Sequence, residues 1–303
     1  VDEVVHSERW AYIVTCHVGF SSAAGAVVVC DSQLSTSVLE VHGSQKLFVG
    51  DDFLVSGAGH AGILAAVFEE LRSGTATNNS SLVPATFSAS CLEKYMAGEV
   101  VDAARGTVQF GLATLAPPLG AFQVFDPGTF RRLGGRSSAL AIGSGASLAA
   151  AAERRETALG LFWNKESVAD MLVTARDYLE VANESLTVDD KLLAGFLVAG
   201  RTYVMGDPAI VPRYTPPEVQ NNWPKLSAEW RETLALVDAI RGEMKSALGT
   251  FSLTIAGVGA NILSAPIVTT LRTKQDAINT GKKRLEDKLT AFMSRYDVLL
   301  GRK

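Results

Sequence analysis

A threonine hydroxyl is a weak nucleophile and needs a base to accept its proton. When threonine is the first residue of a chain, its own α-amine can be that base. The amine's reference pKa of about 8 is close enough to neutrality for it to take and return a proton. Such a site also needs a positive charge to lower the amine's proton affinity, a carboxylate to hold that charge, and a backbone N–H to bind an oxyanion. The chain carries a candidate for each part. Thr15 opens the stretch TCHVGFSSAAGAVVVCD, Asp31 closes it sixteen positions later, and Lys46 follows in GSQKLF. Gly57 and Gly59, flanking Ala58, make a run of small residues that a substrate backbone and an oxyanion can approach. Ser144, in Gly-Ser-Gly, opens a predicted helix whose dipole can support the site. Taken singly, each has a simpler role: Thr15 in a strand, Asp31 capping a turn, Lys46 a solvated charge, Ser144 an N-cap. Thr15 has a free amine only if residues 1–14 are removed.

The elements that must position these residues follow from periodicity. Residues 11–20 and 26–32 read as strands joined by the hairpin-sized turn SSAAG. A short strand pair is predicted around Ser37–Val41 and Lys46–Val49, then a turn at GDD and the buried strand FLVSGAG. A helix follows, with Ile63, Leu64, Val67, Phe68 and Leu71 on one face and Gly74 as its stop. Further helices are predicted at Pro84–Arg105, Ser144–Leu159 and Lys165–Ala182. Strands are predicted at Thr107–Leu115, Phe122–Phe125 and Ala139–Gly143, then in LLAGFLVAG and TYVMG. Strands joined by tight turns imply antiparallel sheets, and helices arriving in pairs imply helices outside stacked sheets.

The run TCHVGFSSAAGAVVVCDSQ resembles the start of mature proteasome β-subunits and of the bacterial HslV peptidase. Thr15, Gly19, Gly25 and Asp31 match the family offsets, and SQKLF resembles its lysine-bearing segment, with Lys46 one residue short of the usual spacing. LVSGAGHAG resembles the family's strand-to-helix step and AIGSGAS its Gly-Ser-Gly; the resemblance covers about residues 12–207. It implies an α+β fold, the four-layer αββα sandwich of N-terminal-nucleophile (Ntn) hydrolases. It also implies autoprocessing, threonine endopeptidase activity on peptides or unfolded proteins, a homo-oligomeric ring or double ring, and an ATPase unfoldase as a possible partner. The implied roles are Thr15 as nucleophile, Lys46 tuning its amine, Asp31 orienting Lys46, Ser144 in support, and Gly59 N–H in the oxyanion hole. Two departures stand out. Val14 occupies the position before the nucleophile, where the family carries Gly. In place of the third-loop Asp and Ser the chain has ANESLTVDD, where Asn183 or Ser185 are the candidates.

Composition fits a folded protein: of 303 residues, 47% are hydrophobic and 20% charged. A net charge of −4 argues against a general nucleic-acid binder. Cys16, Cys30 and Cys91 show no metal-type or disulfide spacing, which points to a reducing, cytoplasmic setting and to no metal or cofactor. The histidines His6, His17, His42 and His60 show no ligand spacing, and the charged first ten residues do not read as a signal peptide. The predicted organisation is a propeptide or lead-in at 1–14, the Ntn-type domain at 15–207, a Pro-rich linker or wrapping arm at 208–224, and a mostly helical C-terminal extension at 225–303.

Residues 1–219 hold 15 Lys and Arg against 24 Asp and Glu, and residues 220–303 hold 13 against 8, so the extension has a different surface. Helices are predicted at Leu226–Leu248 and Thr273–Leu300, the second with Gly281 as its weak point. Between them residues 246–271 carry no formal charge, and fit either a buried helical hairpin or oligomer contact, or a membrane contact. The alternative to an enzyme is therefore a non-catalytic scaffold, or a membrane-tethered module, that keeps residues 1–14 and acts through its tail.

Overall fold

The computed structural model describes residues 12–13, 16–35, 40–41, 43–73, 109–114, 122–126, 129–133, 138–143, 167–183, 189–258 and 265–302. In chain order its strands are β1 (Tyr12–Ile13), β2 (His17–Ser22), β3 (Gly25–Asp31), β4 (Leu34–Ser35), β5 (Glu40–Val41), β6 (Leu47–Val49) and β7 (Phe53–His60). After helix α1 (Ala61–Ser73) come β8 (Gln109–Thr114), β9 (Phe122–Asp126), β10 (Thr129–Leu133) and β11 (Ser138–Ile142). Helix α2 (Val168–Ala182) precedes β12 (Leu192–Val198) and β13 (Arg201–Gly206). Helices α3 (Pro217–Asn221), α4 (Trp223–Val258) and α5 (Ala265–Leu299) follow.

The β2–β3 hairpin starts the first sheet. Its turn is two residues, Ala23 and Ala24, with Ser22 opposite Gly25. Gly25 has φ +139°, and a Cβ there would lie 2.2 Å from the Leu197 carbonyl oxygen, so only glycine fits this close approach. The sheet runs β11-β2-β3-β12-β13, all antiparallel. A second antiparallel sheet runs β1-β7-β8-β9-β10, with β6 also on β7.

Strand alternation gives each face of the first sheet a task. Phe20 meets Tyr178 of α2 edge-on, with ring centroids 5.2 Å apart, so Val18, Phe20, Val27 and Val29 pack under that helix. The other face, bearing His17, Val28, Cys30 and Gly195, turns to the second sheet. A Cβ added at Gly195 would meet Leu47 Cδ2 at 2.6 Å and Leu54 Cδ1 at 3.2 Å. Helix α1 lies against β7 and buries Leu64, Val67, Phe68 and Leu71, four of the five residues its apolar period marked. The Ile63 side chain lies outside the described residues. Helix α2 begins at a capping box: Asp170 N–H donates to Ser167 Oγ at 3.1 Å, and Ser167 N–H to Asp170 Oδ2 at 3.4 Å.

The C-terminal helices form an antiparallel hairpin. Lys288 pairs with Glu232 at 2.6 Å and Arg295 with Glu229 at 2.5 Å. Exposed ion pairs of this kind contribute little, so the packing rests on buried Trp230, Ile240, Leu285, Leu289, Phe292 and Tyr296. Tyr296 meets Tyr203 of β13, while Arg241 of α4 binds Asp177 and Glu180 of α2, so the hairpin packs directly on β13 and α2.

Several expectations change. Among the described residues the strand pair expected at 37–41 and 46–49 does not form: β4 pairs with β5, and β6 with β7 across the GDD turn. The expected helices 84–105 and 144–159 lie outside the described residues. Both tail helices run further into the uncharged tract than expected; α5 can start before Pro266 because the proline falls in its first turn, where its missing N–H costs nothing. Gly281 is a packing site rather than a weak point: a Cβ there would sit 2.8 Å from Ile240 Cγ1, so the glycine lets α5 approach α4. No helix among the described residues is long and apolar enough to cross a membrane.

Candidate functional site

Thr15 and Ser144 lie outside the described residues. Asp31, Lys46 and Gly57 come together where β3 and β7 meet the segment before β6. Lys46 Nζ lies 3.1 Å from Asp31 Oδ1, and the two side chains are 1% and 0% exposed. Cys16 N–H, in the residue after Thr15, donates to the same Oδ1 at 2.9 Å. Gln33 N–H donates to Asp31 Oδ2 at 3.2 Å. One carboxylate thus holds a buried cation and the backbone just past Thr15.

Burial lowers the Lys46 pKa below its usual value, and the charge and hydrogen bond of Asp31 oppose that fall. The Cys16 thiol is pushed up to about 12, first by burial and then by the Asp31 charge; Cys30 is raised further for the same reasons. Both are protonated at neutral pH and unsuited to nucleophilic attack.

Two backbone surfaces present Lys46. On one side Gly57 N–H donates to the Lys46 carbonyl at 3.1 Å, so this N–H is engaged in the ladder. Gly59 has φ +118° and lies opposite Ile13 in the β1–β7 register. The segment just before Thr15 is therefore paired on the strand that carries Gly59.

On the other side lies the chain after β13. Val211 N–H donates to the Gly43 carbonyl at 3.2 Å, Tyr214 N–H to Gln45 Oε1 at 3.0 Å, and Val49 N–H to the Tyr214 carbonyl at 3.4 Å. Gly43 has φ +88°, and a Cβ there would lie 2.5 Å from the Ala209 carbonyl oxygen. The Pro-rich stretch is thus a wrapping arm, the second of the two readings its composition allowed.

His17 is wholly buried between the sheets, opposite Cys30 and Ile142, and neither ring nitrogen has a partner among the described residues. Burial, then the Lys46 charge, hold its pKa well below the usual value. The folded protein favours neutral His17, so the unfolded chain binds the proton first. This stability contribution is complete above about pH 6.5 and declines as pH falls below it, by roughly 1.4 kcal/mol per pH unit. Urea unfolding followed between pH 7.5 and 5.5 is expected to show a shallower acid loss for His17→Leu than for the parent; equal slopes would remove the assignment.

Sequence reasoning missed Asp189. Its Oδ1 accepts Ser32 N–H at 2.9 Å and its Oδ2 accepts Ser32 Oγ–H at 2.8 Å. Asp189 lay within the stretch ANESLTVDD, but Asn183 and Ser185 were the expected third-loop residues. Asn183 is the exposed C-cap of α2, and Ser185 lies outside the described residues. Among the described residues no group of three His, Cys, Asp or Glu could hold a metal ion.

No protein-family model matches the chain, and no curated protein matches it either.

Proposed function

We propose that the chain is a threonine peptidase of the proteasome-like Ntn class, with its two sheets and flanking helices forming an αββα sandwich. Once residues 1–14 are removed, Thr15 Oγ attacks the substrate carbonyl carbon and its proton passes to the Thr15 α-amine. Gly59 N–H binds the resulting oxyanion. The amine returns the proton to the leaving nitrogen, and water then hydrolyses the ester to free Thr15. Lys46 keeps the amine's proton affinity low, and Asp31 keeps Lys46 in place. The substrates are peptides or unfolded polypeptides, and the working form is a homo-oligomeric ring served by an ATPase unfoldase.

The observation that carries this reading is the buried Lys46–Asp31 pair bonded to Cys16 N–H. A buried lysine next to the residue after a threonine serves an amine better than it serves stability, because desolvating an ion pair offsets most of its attraction.

Intact mass and N-terminal sequencing, combined with labelling by a peptidyl boronate, test the proposal. The expected result is a chain that begins at Thr15 and binds one equivalent of boronate there. A chain that keeps residues 1–14 and binds none favours the second reading, a non-catalytic scaffold. That reading has its own support: β1 is held on β7, and Val14 is a stiff, β-branched residue at the cleavage position.

A further inference from the structure

Asp189 sits three residues before β12, whose first residue, Leu192, lies opposite Asp31. The carboxylate thus reaches the residue just past Asp31, and both of its oxygens are committed to Ser32. Ser32 is fully buried and passes the connection on. Its Oγ accepts Gly43 N–H at 3.0 Å, and its carbonyl accepts Ser44 N–H at 3.1 Å. Lys46 follows two residues later. One side of Ser32 therefore leads to Asp31 and the other to the segment that carries Lys46.

We propose that Asp189 is the positioning residue of the Lys46–Asp31 pair. Through Ser32 it fixes the end of β3 and the 43–46 segment against each other. The role rests on the peptidase reading only for its consequence in catalysis.

The chemistry requires a carboxylate. The Ser32 hydroxyl proton goes to Asp189 while its oxygen accepts from Gly43, so the partner must accept two hydrogen bonds at once. An asparagine offers one acceptor oxygen, and its amide hydrogens would face a hydroxyl already in use. The charge also reaches the pair: Asp189 raises the Lys46 pKa, after the larger effects of burial, Asp31 and Cys30. The other titratable groups around Lys46 are Cys16 and His17, both uncharged at neutral pH.

Two variants of the full chain test this, each with a readout that needs no activity. In Asp189→Asn, NMR of ¹⁵N-labelled lysine is expected to show Lys46 losing its proton at lower pH than in the parent. In Ser32→Ala, which keeps the carboxylate and breaks the relay, Lys46 is expected to react with an amine acylating reagent about tenfold faster, because the segment opens more often. If the chain hydrolyses peptides, kcat is expected to fall roughly 10- to 100-fold in both variants with KM little changed. A parent-like Lys46 titration in folded Asp189→Asn overturns the proposal. If that variant does not fold, parent-like acylation in Ser32→Ala overturns it instead. A shifted Lys46 in a chain with no peptidase activity overturns the enzyme reading and leaves the role of Asp189 standing.

Discussion

Asp31→Ala is expected to destabilise the protein by about 3–5 kcal/mol, the usual cost of leaving a buried charge without its partner. The substitution strands three donors together. Lys46 Nζ, Cys16 N–H and Gln33 N–H all end on the Asp31 carboxylate, in a site where Lys46 is 1% exposed. The sign with pH follows from Lys46. Burial already lowers its pKa, and removing Asp31 takes away the largest opposing effect, so the folded variant holds the proton less tightly still. The unfolded chain then binds more protons than the folded one, and stability rises with pH. The deficit against the parent is expected to be smaller at pH 9 than at pH 7 in urea unfolding followed by circular dichroism. The double variant Asp31→Ala with Lys46→Met, which removes charge and partner together, should lose less than the two single losses added. Additive losses would mean that the pair is not coupled.

Thr15→Ala is expected to cut hydrolysis of small peptide amides by at least about 10³-fold, the scale seen when a nucleophile acting as part of a unit is removed. The same variant should keep residues 1–14, because the hydroxyl that would attack the Val14 carbonyl is gone, and intact mass reads this directly. The fold should be unaffected, because the Asp31–Lys46 pair is held by other residues. Activity that survives in Thr15→Ala would place the nucleophile elsewhere and dispose of the proposal.

What the chain discloses by itself is what local pattern encodes. The β2–β3 hairpin, the apolar face of α1 and the two strands β12 and β13 follow from alternation, helical period and turn residues read over a few positions. Asp31 and Lys46 were picked out by offset and are in contact. Asp189 was not, because its partner Ser32 is 157 residues away and no local pattern marks such a bond. Gly281 failed for a related reason: helix propensity counts a glycine as a cost, whereas here the facing Ile240 requires the missing side chain. The Lys46 strand was paired with the wrong neighbour because a three-residue strand carries too little pattern to choose between flanking turns.

The arm between β13 and α3 leaves the chain with little slack. It is bonded to Gly43, Gln45 and Val49, on both sides of Lys46, and it runs straight on into the helices that rest on β13 and α2. Any displacement of the helical hairpin relative to β13 must either break those hydrogen bonds or drag the lysine's strand along. The extension and the candidate site are thus two ends of one lever, and a chain cut after residue 207 would lose the clasp that steadies Lys46 together with its tail.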